Sequence, residues 1–170
     1  MNSAELDLQI RPFASTDSIE ELTALLHRAY KQLADMGLKF LATHQDADTT
    51  RNRVNAGDCF VAELDGRVIG TITFYMPGKP YGSPWLERAD VGHIGQLAVE
   101  PDYQLRRVAT RLMQFIEDQA RRRGVAELAL DTSENAAHLI SWYERQGFRF
   151  IEHAQWSVTN YRSVVMSKRL

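Results

Sequence analysis

Between Val91 and Arg123 the chain reads VGHIGQLAVEPDYQLRRVATRLMQFIEDQARRR, and the residues best suited to chemistry gather there. Arg106 and Arg107 stand where an amphipathic pattern opens. The first N–H groups of a helix have no partner inside it, and that end carries partial positive charge. Two guanidinium groups beside it suit an anionic phosphate. Upstream, His93 sits in an apolar run. An imidazole with an ordinary pKa of about 6.5 can take a proton at physiological pH, although a hydrogen-bonded structural histidine fits the same position. Glu100, at the turn that follows, is the alternative carboxylate base.

Positioning these groups requires a strand, a turn and a helix. Val91 to Val99 is β-branched and apolar, Pro101 ends it, and the helix opens near Leu105 with Leu105, Val108, Leu112, Phe115, Ile116 and Ala120 at spacings of three and four. Period-two alternation predicts His93, Gly95, Leu97 and Val99 on one face of the strand. Arg121, Arg122 and Arg123 complement the negative end of the helix.

The rest of the chain supplies neighbours for that unit. Leu6 to Pro12 predicts a strand, and Asp17 to Leu33 an amphipathic helix capped by Ser15, Thr16 or Asp17. A polar linker and a second helix ending near Gly57 follow, then a hairpin of Cys59 to Leu64 and Arg67 to Tyr75 around Asp65-Gly66. The loop from Met76 to Asp90, rich in proline and glycine and carrying Tyr81 and Trp85, predicts a projecting flap beside the substrate. Ala126 to Asp131 predicts a strand, and Glu134 to Gln146 a helix with Ala137, Ile140 and Tyr143 or Trp142 inward, stopped by Gly147. Phe148 to Trp156 and Tyr161 to Lys168 are the last strands. The order is β-α-α-β-β-β-α-β-α-β-β.

Composition excludes several classes. With 20 basic and 22 acidic residues the net charge is −2, which disfavours a general nucleic-acid binder. The single cysteine, Cys59, precludes an internal disulfide, and no apolar run approaches the ~20 residues that span a bilayer. The start MNSAELDLQIRPF has no signal-peptide pattern, so a cytoplasmic protein without membrane association is expected. Five scattered histidines show no metal-ligand spacing, so no metal is expected, and no Ser-His-Asp arrangement presents itself. At 170 residues the chain fits one domain, residues 1–170.

The segment LAVEPDYQLRRVATRLM resembles the acyl-CoA-binding motif of the GNAT N-acetyltransferase superfamily, Q/R-x-x-G-x-G/A. Gln104, Leu105, Arg106, Arg107, Val108 and Ala109 fill it, with Arg107 where the first glycine belongs. WYERQGF, from Trp142 to Phe148, is similar to the second signature, a helical tyrosine before the Gly-Phe that opens the next strand. The resemblance implies an α/β (α+β) fold: a central mixed, mostly antiparallel sheet of six to seven strands flanked by about four helices. It also implies direct transfer of an acetyl group from acetyl-CoA to a primary amine of a small molecule or peptide.

Within that resemblance, backbone groups of Leu97, Ala98 and Val99 pair with the pantetheine arm where the strand splays from its neighbour. The turn from Gln104 to Thr110 receives the pyrophosphate. Tyr143 is the general acid for the departing thiolate, although spacing alone reads it as a core tyrosine beside Trp142. Asn135 resembles an asparagine that touches the CoA arm, one residue further from the tyrosine than usual. Tyr30, Phe40 and His44 are candidates for acceptor contact. Arg107 in place of glycine leaves two alternatives, an ordinary enzyme or a CoA-binding module with weak transfer. A homodimer is compatible with the resemblance and dictated by no segment.

Overall fold

A computed structural model describes residues 5–170. The segment MNSAELDLQIRPF, expected to lack a signal-peptide pattern, falls partly on residues 1–4, outside the described residues. In chain order the elements are β1 (Gln9–Pro12), α1 (Ile19–Asp35), α2 (Ala47–Ala56), β2 (Asp58–Leu64), β3 (Arg67–Tyr75), β4 (Val91–Val99), α3 (Val108–Arg122), β5 (Glu127–Ser133), α4 (Ala137–Arg145), β6 (Arg149–Ala154) and β7 (Ser163–Arg169). That is the order expected from periodicity. One seven-stranded sheet runs β1-β2-β3-β4-β5-β7-β6, antiparallel except where β4 meets β5.

Local chemistry explains the elements. Ser18, rather than the three residues before it, caps α1, its hydroxyl accepting from the Glu21 N–H at 3.1 Å. Asp17 instead pairs with Arg11 at 2.7 Å. Asp65 and Gly66, at φ 50° and 76°, make the tight left-handed turn that a two-residue hairpin needs. Val108, Leu112, Ile116 and Ala120 carry the apolar stripe of α3 into the main core against Phe60, Ile72, Phe74 and Ile94. On the other face of the sheet, Leu22, Leu25 and Leu26 of α1 pack with Ala42, Cys59 and Ala98.

Four further expectations need correction. Helix α3 opens at Val108, and Leu105 lies outside it, fully exposed, because Leu105 and Arg107 both adopt left-handed φ (62° and 64°). On α4, Ala136 rather than Ala137 is buried, since the helix starts three residues later than the pattern suggested. The loop from Met76 to Asp90 does not project. Leu86 packs with Val91, Ala129 and Val165, and Glu152 Oε1 accepts from the Ser83 hydroxyl at 2.7 Å and the Trp85 N–H at 3.0 Å.

The fourth correction concerns β4. Its register against β3 passes from Thr73↔Gly95 to Thr71↔Ala98, so Gln96 and Leu97 together face Ile72, and Gln96 takes φ 54°. The extra residue of such a bulge inverts the alternation. Ala98 therefore joins the α1 side and Val99 the α3 side, and the face shared by His93 and Gly95 does not continue to Leu97 and Val99.

Candidate functional site

Strands β4 and β5 pair in parallel only at Val91↔Glu127, Gly92↔Leu128 and His93↔Ala129. Beyond His93, β4 pairs only with β3, while β5 continues against β7 to Ser133. A cleft of about 820 Å³ opens in that divergence, lined by His93 to Val99, by Leu130 to Thr132, and by residues of α1, α3 and α4. No shift of pairing partner is legible in a strand's own sequence, so the splay had to be seen. A wider surface depression of about 940 Å³ at β1 and α2 lies away from this divergence, and its Asp17 and Asp58 carboxylates are already paired with arginines.

One end of the cleft is formed by the turn into α3 and the start of that helix. Gln104, Leu105, Arg107, Val108, Ala109 and Thr110 line it. The first bond of α3 is from the Arg111 N–H to the Arg107 carbonyl, and no side chain caps the helix. Alternating left- and right-handed residues ahead of an uncapped helix turn successive N–H groups toward one concavity, an arrangement suited to phosphate. Arg107, where the resemblance expects glycine, takes the left-handed φ of 64° that glycine adopts most easily, and it lines the cleft. Arg106 lies outside the lining. Gln104 ties the turn to the sheet, its Nε2 donating to the Val99 carbonyl at 3.2 Å. Leu97, Ala98 and Val99 form the adjoining wall, and the Tyr30 hydroxyl donates to the Leu97 carbonyl at 3.0 Å. Asn135 is exposed and outside the lining, its N–H bonded to the Ser133 hydroxyl.

The other end gathers titratable side chains, His93, Asp131, Tyr81 and Tyr143. His93 is 8% exposed, and neither ring nitrogen has a hydrogen-bond partner. Its nearest charge is Asp131, with Nε2 3.4 Å from Oδ1, an ion-pair contact that falls short of an aligned hydrogen bond. Burial alone would raise the Asp131 carboxyl. The adjacent imidazole, the Trp156 Nε1–H bond at 2.8 Å and the Arg53 charge outweigh it and hold the carboxyl below its ordinary range. Tyr81 of the packed loop meets the His93 ring edge to face at 4.7 Å. Tyr143 reaches the same cleft from α4, its phenol pushed well above the ordinary value by burial and by the neighbouring Tyr30 and Asp131.

Glu100 is not part of this arrangement. It is buried behind the strand end, where Arg28 holds it at 2.6 Å and Arg67 at 3.7 Å, so it has no role facing the cleft. Tyr30 and Phe40 line the cleft, whereas His44 is exposed, bonded to Thr43, and outside it. Trp85 also lies outside the lining and stacks with Arg88. Asp131, Arg53, Trp156 and Tyr161 were missed from sequence. Asp131 left one signal, a carboxylate following the apolar run LAL in a strand that lies beside β4 if the two are parallel. Among the described residues, no group of three or more His, Cys, Asp or Glu side chains could hold a metal ion. No helix among them is long and apolar enough to cross a membrane.

Comparison with known proteins matches residues 19–148 to the Acetyltransferase (GNAT) family. S-(2-succino)cysteine N-acetyltransferase of Bacillus subtilis is 37% identical over 135 residues, 76% of this chain and 77% of its own length. A probable N-acetyltransferase, camello, of Xenopus tropicalis is 28% identical over 80% of this chain, which spans 59% of that protein's length. The fold is that of a GNAT family acetyltransferase from Elizabethkingia anophelis solved with acetyl-CoA bound, with TM-score 0.68, 15% identity, and coverage of 96% and 98% of the two chains.

Proposed function

The chain belongs to the GNAT family of acetyltransferases, whose acyl donor is acetyl-CoA, and on that premise we propose that it acetylates the primary amine of a small amino-acid-like acceptor. The name of the Bacillus subtilis relative points to the α-amine of an S-substituted cysteine as the acceptor class. The observation that carries the reading is His93. A buried imidazole without a hydrogen-bond partner, at the apex of a splayed strand pair and beside a carboxylate, is costly unless a substrate uses it.

The residues present fit the donor. The N–H groups of the turn and first helical positions, from Leu105 to Thr110, and the Arg107 guanidinium would hold the pyrophosphate. The free edge of β4 from Leu97 to Val99 would receive the pantetheine amides as a further strand. Bound there, acetyl-CoA supplies an acetyl thioester whose carbonyl is open to attack by a neutral amine. His93 takes the ammonium proton, and the ionised Asp131 stabilises the imidazolium that results. Tyr143, kept neutral by burial, donates its hydroxyl proton to the leaving thiolate.

Thiol release from acetyl-CoA in the presence of a panel of amines tests this directly. Turnover should be highest with S-substituted cysteines. Binding of acetyl-CoA by calorimetry without thiol release from any amine would instead assign the chain a binding role.

A further inference from the structure

Arg53 lines the cleft, and the transfer reading gives it no contact with donor or acceptor beyond its field on Asp131. It sits on α2, half-buried, on the acceptor side of the cleft with His93, Tyr81 and Asp131. Its Nη1 donates to Gln45 Oε1 at 2.7 Å. Gln45 is itself buried, and its Nε2 donates to Gln96 Oε1 at 2.9 Å and to Thr50 at 2.8 Å. The chain of contacts thus runs from the β4 bulge through one amide to the guanidinium, and it fixes the arginine before any ligand arrives. Among the described residues Arg53 forms no ion pair within 4.0 Å, and it shares the acceptor end of the cleft with His93 and Asp131. A guanidinium has five N–H donors in a planar fork, so one bond to Gln45 leaves most of the fork available.

The place of that fork is set by Gly95. A methyl group built on Gly95 would come within 3.4 Å of Arg53 Nη2, so the guanidinium lies directly over the backbone two residues beyond His93. Residues two apart on a strand share a face and stand about 6.6 Å apart. The imidazole and the guanidinium thus lie over neighbouring positions on one face of β4, and an α-amino acid would set its amine at the first and its carboxylate at the second. Asp131 supplies negative charge near the amine end, so the cleft presents an anion-accepting group and a cation-accepting group in the same order as the charges of an amino acid.

Resting on the acetyl-transfer reading above, we propose that Arg53 is the specificity-determining residue of the acceptor site and binds the α-carboxylate of the amine substrate as a bidentate ion pair. The side chain on sulfur then points away from α2, toward the aromatic wall of Tyr161 and Trp156, and tolerates variation there. Selection lies in the amino-acid end.

The test compares S-methylcysteine and S-(2-succino)cysteine with the decarboxylated amine of each, by thiol release from acetyl-CoA, in the wild type and in Arg53→Gln and Arg53→Lys. The wild type should prefer each amino acid by about 100-fold or more in kcat/KM, because loss of the carboxylate leaves a half-buried cation unpaired. Arg53→Gln should lose roughly that factor on the amino acids, mainly through KM, and a much smaller factor on the decarboxylated amines, so that the preference between the two collapses. Arg53→Lys should recover part of the loss, since it restores charge without the fork. Equal use of amino acid and decarboxylated amine by the wild type overturns the proposal. So does an equal loss on both by Arg53→Gln, which would reduce Arg53 to a support for Gln45. Absence of thiol release with every amine overturns the transfer reading itself, and this proposal with it.

Discussion

His93 Nε2 stands 3.4 Å from Asp131 Oδ1, and the two residues lie on strands whose pairing ends at His93. The last rung of the parallel ladder therefore holds the imidazole, and the diverging strand holds its counter-charge two residues further on. If they act as a unit, His93→Ala should lower kcat by about 10²-fold to 10⁴-fold, and Asp131→Asn should cost a large part of that loss. The double variant should be scarcely slower than His93→Ala alone, because a partner has nothing left to stabilise once the imidazole is gone. Steady-state thiol release on the three variants checks this. Losses that multiply would show two independent roles.

Tyr143 bears on the other proton. Its phenol is raised by burial first, and then by Tyr30 and Asp131, so it is protonated at physiological pH and has a proton to give. Tyr143→Phe preserves the ring contacts with Trp142 at 5.2 Å and Phe148 at 6.0 Å and removes only the hydroxyl. Turnover should drop by about 10²-fold or more while acetyl-CoA affinity by calorimetry stays within a few-fold of wild type. Unchanged turnover would return Tyr143 to a packing role.

How far the site was legible depends on the range of the forces that set it. Periodicity is local, so the order of eleven helices and strands, the Asp65-Gly66 hairpin and the Gly147 stop could all be read from neighbouring residues. The splay of β4 from β5 and the arrival of Asp131 beside His93 are long-range pairings, and nothing within either strand encodes them. The bulge at Gln96 is a backbone choice of a residue type that ordinarily has negative φ. One such choice moved Val99 to the opposite face from the one alternation predicts. Leu105 failed for the same reason, since a left-handed residue before a helix takes an apolar side chain out of register. The loop from Met76 to Asp90 was read from its prolines and glycines. Its packing was decided by Leu86 and by the Glu152 carboxylate from a strand 69 residues beyond Ser83.

Alkaline stability follows from the aromatic wall. Tyr30, Tyr81, Tyr143 and Tyr161 line the cleft, and burial raises every one of these phenols, Tyr30 and Tyr81 to about 12. Above a pH of about 10 the unfolded chain loses these protons while the folded chain keeps them, so stability declines as pH rises. The contribution is complete below about pH 10 and is lost as pH climbs through the folded values. Denaturant midpoints should therefore fall steeply between about pH 10 and 12, and Tyr81→Phe or Tyr143→Phe should flatten that fall without changing the midpoint trend near neutrality. An identical slope in the phenylalanine variants would place the titrating groups elsewhere.

Arg107 separates backbone from side chain at the anion end. At φ 64° and ψ 13° it occupies the region where glycine is at ease and other residues pay about 1–2 kcal/mol. Arg107→Gly relieves that strain but gives the unfolded chain more freedom, two effects of about 1 kcal/mol that oppose each other, so stability should move by less than about 1 kcal/mol. The N–H concavity keeps its shape in that variant and only the guanidinium is lost. Acetyl-CoA affinity should then weaken by about 3-fold to 10-fold, and its dependence on salt should flatten, because an exposed cation acts on a phosphate through a screened charge. Arg107→Val should do worse on both counts, since a β-branched residue resists left-handed φ and would rotate the N–H groups away from the phosphate. Calorimetric titration of acetyl-CoA at two salt concentrations, with thermal unfolding of the same samples, distinguishes the contributions. Tighter binding by Arg107→Gly at every salt concentration would mean that the arginine obstructs the path the backbone provides.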